Sequence, residues 1–146
     1  MTGCPEIQNV LFKFRDAIEN TNRGFLPITF RNFPSGACGD TCQILAEHLK
    51  GMGFGDFFYI SGKREDSRSH AWLEKDGFVI DLTSDQFNEL DMPVYYGPIN
   101  DWYRSFSEES RSLAGYTLFQ FDDETPKIEC LELMKAHRAI AENICA

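Results

Sequence analysis

The segment from Ser69 to Leu82 constrains the fold more than any other part of the chain. Two strand-like runs, Ser69 to Glu74 and Phe78 to Leu82, are separated by Lys75-Asp76-Gly77, and Asp-Gly is among the strongest two-residue turns for an antiparallel hairpin. With Asp76-Gly77 as the loop, Lys75 faces Phe78, Leu73 faces Ile80, and Trp72 faces Asp81. That register makes His70 the diagonal neighbour of Asp81 on one sheet face, within reach of a side-chain hydrogen bond. A slip of one residue would send the two to opposite faces.

Upstream, Phe33-Pro34-Ser35-Gly36-Ala37-Cys38-Gly39-Asp40 runs a stiff, turn-forming segment into a helix whose first turn carries a thiol. Cys38, Cys42, Leu45, Leu49 and Met52 share one face of that helix, while Gln43, Glu47 and Lys50 lie mostly on the other, and Gly51 supplies a stop. The unpaired N–H groups of a helix start carry partial positive charge, which favours the thiolate over the thiol. An imidazole beside it stabilises the anion and later protonates a leaving group, and a carboxylate on the other ring nitrogen fixes tautomer and orientation. Cys38, His70 and Asp81 are therefore the candidate catalytic residues. The backbone N–H of Cys38 is one candidate oxyanion donor, and the side-chain amide of Asn32 is the candidate for a second. Asp40 reads either as an ordinary helix-start carboxylate or as the partner of a base such as Arg31 or Arg68.

The remaining elements are consistent with one domain spanning residues 1–146, since a chain of this length with 42% apolar residues closes one core. Ile7, Val10, Leu11, Phe14 and Ile18 make the stripe of a helix over about 5–20, and Phe57 to Ile60 reads as a strand. Beyond Asp81, Tyr95 to Pro98 suggests a strand ending in a turn, and Asp101 to Ser112 is a polar stretch with some helical character. Tyr116 to Phe121 is strand-like. Thr125-Pro126 is an N-cap followed by a first-turn proline, opening a last helix with Ile128, Leu131, Met134, Ile140 and Ile144 on its apolar face.

A net charge of −9 repels polyphosphate, and no Lys/Arg run offers a footprint, so no nucleic acid partner is expected. Neither a signal peptide at Met1 nor a membrane span is readable, so the mature chain is expected to begin near Met1, with no membrane partner. Five cysteines at irregular spacing fit reduced thiols and a cytoplasmic location, with signal-free export as an effector equally compatible.

Gly36-Ala37-Cys38-Gly39-Asp40 with its apolar helix, Ser69-His70-Ala71-Trp72-Leu73-Glu74, and Val79-Ile80-Asp81-Leu82-Thr83 together resemble the core of the transglutaminase-like cysteine enzymes of the papain-like superfamily. The resemblance spans about residues 30–87, and His-Ala-Trp followed by a strand ending in Asp-Leu-Thr is its most specific part. It implies an α+β fold with the nucleophile helix packed against an antiparallel sheet, and a triad carried by Cys38, His70 and Asp81. It also implies acyl transfer at a peptide or side-chain amide through a thioester, as a hydrolase (peptidase or deamidase) or an acyltransferase, with a protein or peptide substrate. No cofactor is expected and no metal is assigned, and the calcium dependence of the large transglutaminases is not carried over to a chain this short. A counterpart of the papain-type glutamine before the thiol is missing.

Two other function classes fit the same residues. One is a metal-binding module using Cys38, Cys42, His70 and Asp81, since thiolates one helical turn apart can share a zinc ion. The other is a catalytically inactive protein-binding domain of the same fold, or an acidic adaptor whose Tyr95, Tyr96, Trp102 and Tyr103 contact a protein.

Overall fold

The computed structural model describes residues 5–87, 92–121 and 126–144. They form a mixed α+β architecture: α1 (Pro5–Asn20), α2 (Cys38–Gly51), β1 (Phe58–Lys63), β2 (Ser69–Lys75), β3 (Phe78–Asp81), β4 (Tyr95–Pro98), α3 (Asp101–Arg104), β5 (Ser107–Leu113) and α4 (Pro126–Ala141). The strands make one antiparallel sheet in the order β4-β3-β2-β1-β5. The β2–β3 hairpin has the register anticipated from Asp76-Gly77, with Lys75 opposite Phe78 and Leu73 opposite Ile80. Both turn residues take positive φ, as a primed hairpin turn requires.

The sheet is covered on both faces, which is why β2 is buried at successive positions rather than alternate ones. Ala71, Leu73 and Ile80 join the cluster built by Leu11, Phe14 and Ile18 of α1, Ile44, Leu45 and Leu49 of α2, and Leu133, Ala136 and Ile140 of α4. Ile60, Trp72 and Val79 join a second cluster with Phe87, Tyr103 and Phe106 on the other face. Gly62 lies opposite His70 in the β1–β2 ladder, and a Cβ there would stand 2.9 Å from both Phe106 Cβ and the Ser107 carbonyl. Only glycine lets Phe106 close over that end of the sheet.

The α1 stripe is as anticipated, with Ile7, Leu11, Phe14 and Ile18 all buried. Several other elements differ from their sequence pattern. Residues 101–112 form one helical turn and then an edge strand: the Asn100 side chain caps α3 by accepting from the Tyr103 N–H at 3.2 Å, and β5 pairs with β1, its side chains all exposed. Tyr116–Phe121 is a 3-10 helix, not a strand. Its entry is captured by α2, where Gln43 Oε1 accepts from the Gly115 N–H at 2.6 Å and Glu47 Oε2 from the Thr117 N–H at 3.0 Å. Those two polar residues consequently face protein.

In α4 the buried row is Cys130, Leu133, Ala136 and Ile140, whereas Ile128 and Leu131 are 67% and 55% exposed. The helix is rotated from the pattern read in sequence because His137 turns inward, onto Tyr116 and His48. Met52, past the end of α2, is exposed. The anticipated cap at Thr125 lies outside the described residues. No helix among the described residues is long and apolar enough to cross a membrane.

Candidate catalytic site

His70 enters from the start of β2 and Asp81 from the end of β3, and the hairpin register sets them on one face. His70 Nε2 lies 2.6 Å from Asp81 Oδ2, with both side chains almost fully buried. The carboxylate is held from every side by donors: Tyr103 donates its hydroxyl to Oδ2 at 2.9 Å, and Thr83 donates its backbone N–H and hydroxyl to Oδ1 at 2.9 and 3.3 Å. With those lone pairs occupied, the proton on the His70–Asp81 bond belongs to Nε2, and Nδ1 is left facing the reaction space.

Cys38 is the first residue of α2, half-buried, and its thiol lies near enough to the His70 imidazole to influence its charge. Its position follows from the approach: Gly36 takes φ +79°, a left-handed conformation that glycine adopts without strain, and Ala37 caps the helix with no side-chain acceptor. The first N–H groups of α2 are therefore not engaged by the cap residue's side chain. Burial, the largest influence on His70, pulls its pKa down. It is outweighed by the charge and hydrogen bond of Asp81 and by the hydrogen bond and charge of Cys38, which together bring it up to about 9. The imidazolium form is favoured at neutral pH, as a thiolate partner needs. Burial likewise holds the Tyr103 phenol far above its ordinary range, with Asp81 adding to the effect, so it serves Asp81 as a permanent donor.

An aromatic wall isolates the pair from water. The rings of Phe87, Trp102 and Phe106 lie 5.1, 5.8 and 6.1 Å from the imidazole, centroid to centroid. Behind it, Arg15 of α1 braces the loop that follows β3. Its guanidinium donates to both Asp85 carboxylate oxygens at 2.9 and 2.8 Å, to the Leu82 carbonyl at 2.7 Å and to the Pro93 carbonyl at 2.9 Å. Next in that loop is Gln86, whose Nε2 lies 3.0 Å from His70 Nδ1.

The structure thus brings Cys38, His70 and Asp81 together. Asn32 stands instead on the wall of a cavity of about 330 Å³, lined also by Ile28, Thr29, Arg31, Ser35 and Gly36, just upstream of the thiol. The carboxamide that reaches the imidazole is Gln86. The partner of Asp40 is the Thr29 hydroxyl, at 2.6 Å, not a guanidinium. Cys42 lies in the helix-side core with its pKa pushed well up by burial, and no group of three or more potential metal ligands occurs among the described residues. Tyr103 is buried and Tyr95, Tyr96 and Trp102 are half-buried, so these aromatics belong to the packing around the site. Sequence reasoning missed Gln86, Tyr103 and Arg15 as parts of the site. For Gln86 the available signal was its place five residues after Asp81, in a short turn that must fold back past the strand end.

No protein-family model matches this chain, and comparisons with curated proteins and with solved structures gave no significant match.

Proposed function

We propose that the protein is a cysteine-nucleophile hydrolase or acyltransferase of transglutaminase-like type, acting on peptide or side-chain amides in a protein or peptide substrate. The observation that carries this reading is the convergence of the Cys38 thiol, at the start of α2, on a His70 ring that is hydrogen-bonded to a fully saturated Asp81. A nucleophile helix abutting an antiparallel sheet, with the acid and base on adjacent strands, also supports a papain-like core. In the first half of the cycle Cys38 Sγ bonds to the substrate carbonyl carbon, and the carbonyl electron pair moves to oxygen beside the α2 N-terminus. Collapse of that intermediate breaks the C–N bond, and the Nδ1 proton goes to the departing amine, leaving a thioester and neutral His70. In the second half Nδ1 takes a proton from water, or from an acceptor amine, as that nucleophile attacks the thioester. The thiolate is expelled and the imidazolium restored.

The test is alkylation by iodoacetamide at pH 6 to 7 followed by peptide mass spectrometry. Cys38 is expected to label selectively, and His70→Ala to slow that labelling by roughly a hundredfold. Slow, uniform modification of several thiols, indifferent to His70, would exclude the reading.

A further inference from the structure

His70 Nδ1 has two claimants. One is the Cys38 thiol, to which only Nδ1 is open because Asp81 holds Nε2; the other is Gln86, whose Nε2 sits 3.0 Å from Nδ1. A contact between an amide nitrogen and a ring nitrogen is a hydrogen bond only when the ring nitrogen carries no proton, because the amide NH2 donates and does not accept. Asp81 already fixes one ring proton on Nε2, so Gln86 can cap the Nδ1 lone pair only in the neutral imidazole and finds no acceptor there in the imidazolium. We propose that Gln86 is a positioning residue that competes with the Cys38 proton for His70 Nδ1, shifting the balance from the thiolate–imidazolium pair toward the thiol–imidazole pair until a substrate displaces the carboxamide. This inference rests on the catalytic reading of Cys38 and His70.

The placement of Gln86 is not an accident of a loose side chain. It lies in the 3-10 turn Ser84–Gln86, whose first residue is buried and whose Asp85 is clamped by Arg15. Gln86 itself is half-buried, at the border between the sealed imidazole and solvent, where an incoming acyl group can meet it. The other charged or titratable groups around the ring are set out on every side. Asp81 lies on β3, Tyr103 reaches Asp81 from α3, and Cys38 is on α2 with Cys42 one turn behind. Arg64 and Arg68 stand over the aromatic wall, and Asp85 is neutralised by Arg15. Among these groups Asp81 and the thiolate favour a proton on Nδ1, whereas the Gln86 N–H favours its absence. Two influences of opposite sign therefore meet on one atom.

Removing the restraint predicts a gain of reactivity, which a merely structural role would not produce. The rate of Cys38 alkylation by iodoacetamide is to be measured against pH for the full-length wild type, Gln86→Ala and Gln86→Met. On the acidic limb, where the ring is already protonated and Gln86 has no lone pair to cap, both variants are expected to label at the wild-type rate, whereas at the neutral plateau they are expected to label roughly threefold to tenfold faster, with the limb's midpoint moved up by about half to one pH unit. In a His70→Ala background neither substitution should change the rate. An unchanged or lowered plateau, a midpoint moved down, or an acceleration that persists without His70 overturns the inference while leaving the catalytic reading intact. Wild-type labelling that ignores His70 removes both.

Discussion

The protein contains two histidine sites, one buried and one half-buried, and they are driven in opposite directions. His70 is paired with a carboxylate and brought up to about 9. His48 is paired with another imidazole: its Nδ1 lies 3.1 Å from His137 Nε2, while His137 Nδ1 is 2.8 Å from the Tyr116 hydroxyl. Burial lowers His48 to about 4 with His137 adding to the effect, and burial lowers His137 against the opposing charge of Glu47. Desolvation acts to lower all three rings. What decides the sign is whether a carboxylate stands at hydrogen-bonding distance, so the same residue type is favoured as a cation in one site and as a neutral ring in the other. Helix α1 serves both regions through consecutive residues: the Phe14 ring packs 4.7 Å from His48, and Arg15 holds the loop beside His70.

Separating the two regions at α1 gives the largest expected effect. Arg15→Met keeps an unbranched apolar stem but leaves Asp85 and two carbonyls without their donor, so a loss of about 3 kcal/mol in urea unfolding is expected. Below the transition, ring signals of His70 should move and those of His48 and His137 should not. Equal disturbance at both sites would show that α1 does not divide them. A second variant converts one site toward the other. In Asp81→Asn the first of the two groups that raise His70 is gone while burial and Cys38 remain, so the ring titration of His70 followed by NMR, expected near pH 9 in the wild type, should move down. The alkylation rate of Cys38 at pH 7 should drop by roughly a hundredfold. A titration that stays near 9 would mean that Asp81 is not what holds the proton.

The sequence made the first of these sites readable and hid the second, for a physical reason. Asp76-Gly77 fixes hairpin register locally, and register alone places His70 against Asp81, so three parts of the site follow from short-range rules together with the helix start at Cys38. Nothing local marks His48 and His137 as partners, because they meet only through the packing of α2 on α4, 89 positions apart. The same limit explains the aromatics after Pro93. Trp102 and Tyr103 carry no period of their own and become part of the His70 wall only once a single capped turn presents them to β2 and β3. Tyr116–Phe121 has the residue types of a strand, but Gln43 and Glu47 take its first N–H groups and bend it into a 3-10 helix. Propensity was overridden by two side chains 70 and 72 residues away in sequence.

The smallest effect comes from acid. A histidine whose folded pKa lies below its unfolded value binds its proton more readily in the unfolded chain, so the native state loses ground as pH falls from about 6.5 through about 4. His70 works at the opposite end: its contribution is fully present below about pH 6.5 and lost as pH rises through about 9. His48→Gln keeps a hydrogen-bonding partner for His137 and removes the titration, so its urea midpoint should decline less than that of the wild type between pH 6.5 and 4. The difference should be about 1 kcal/mol, a value reduced for the partial exposure of the ring. Parallel decline of the two proteins would mean that His48 is not the group that charges. In that case burial alone would not account for the contrast between the two sites, and the carboxylate at His70 would have to be weighed against some other difference in their surroundings.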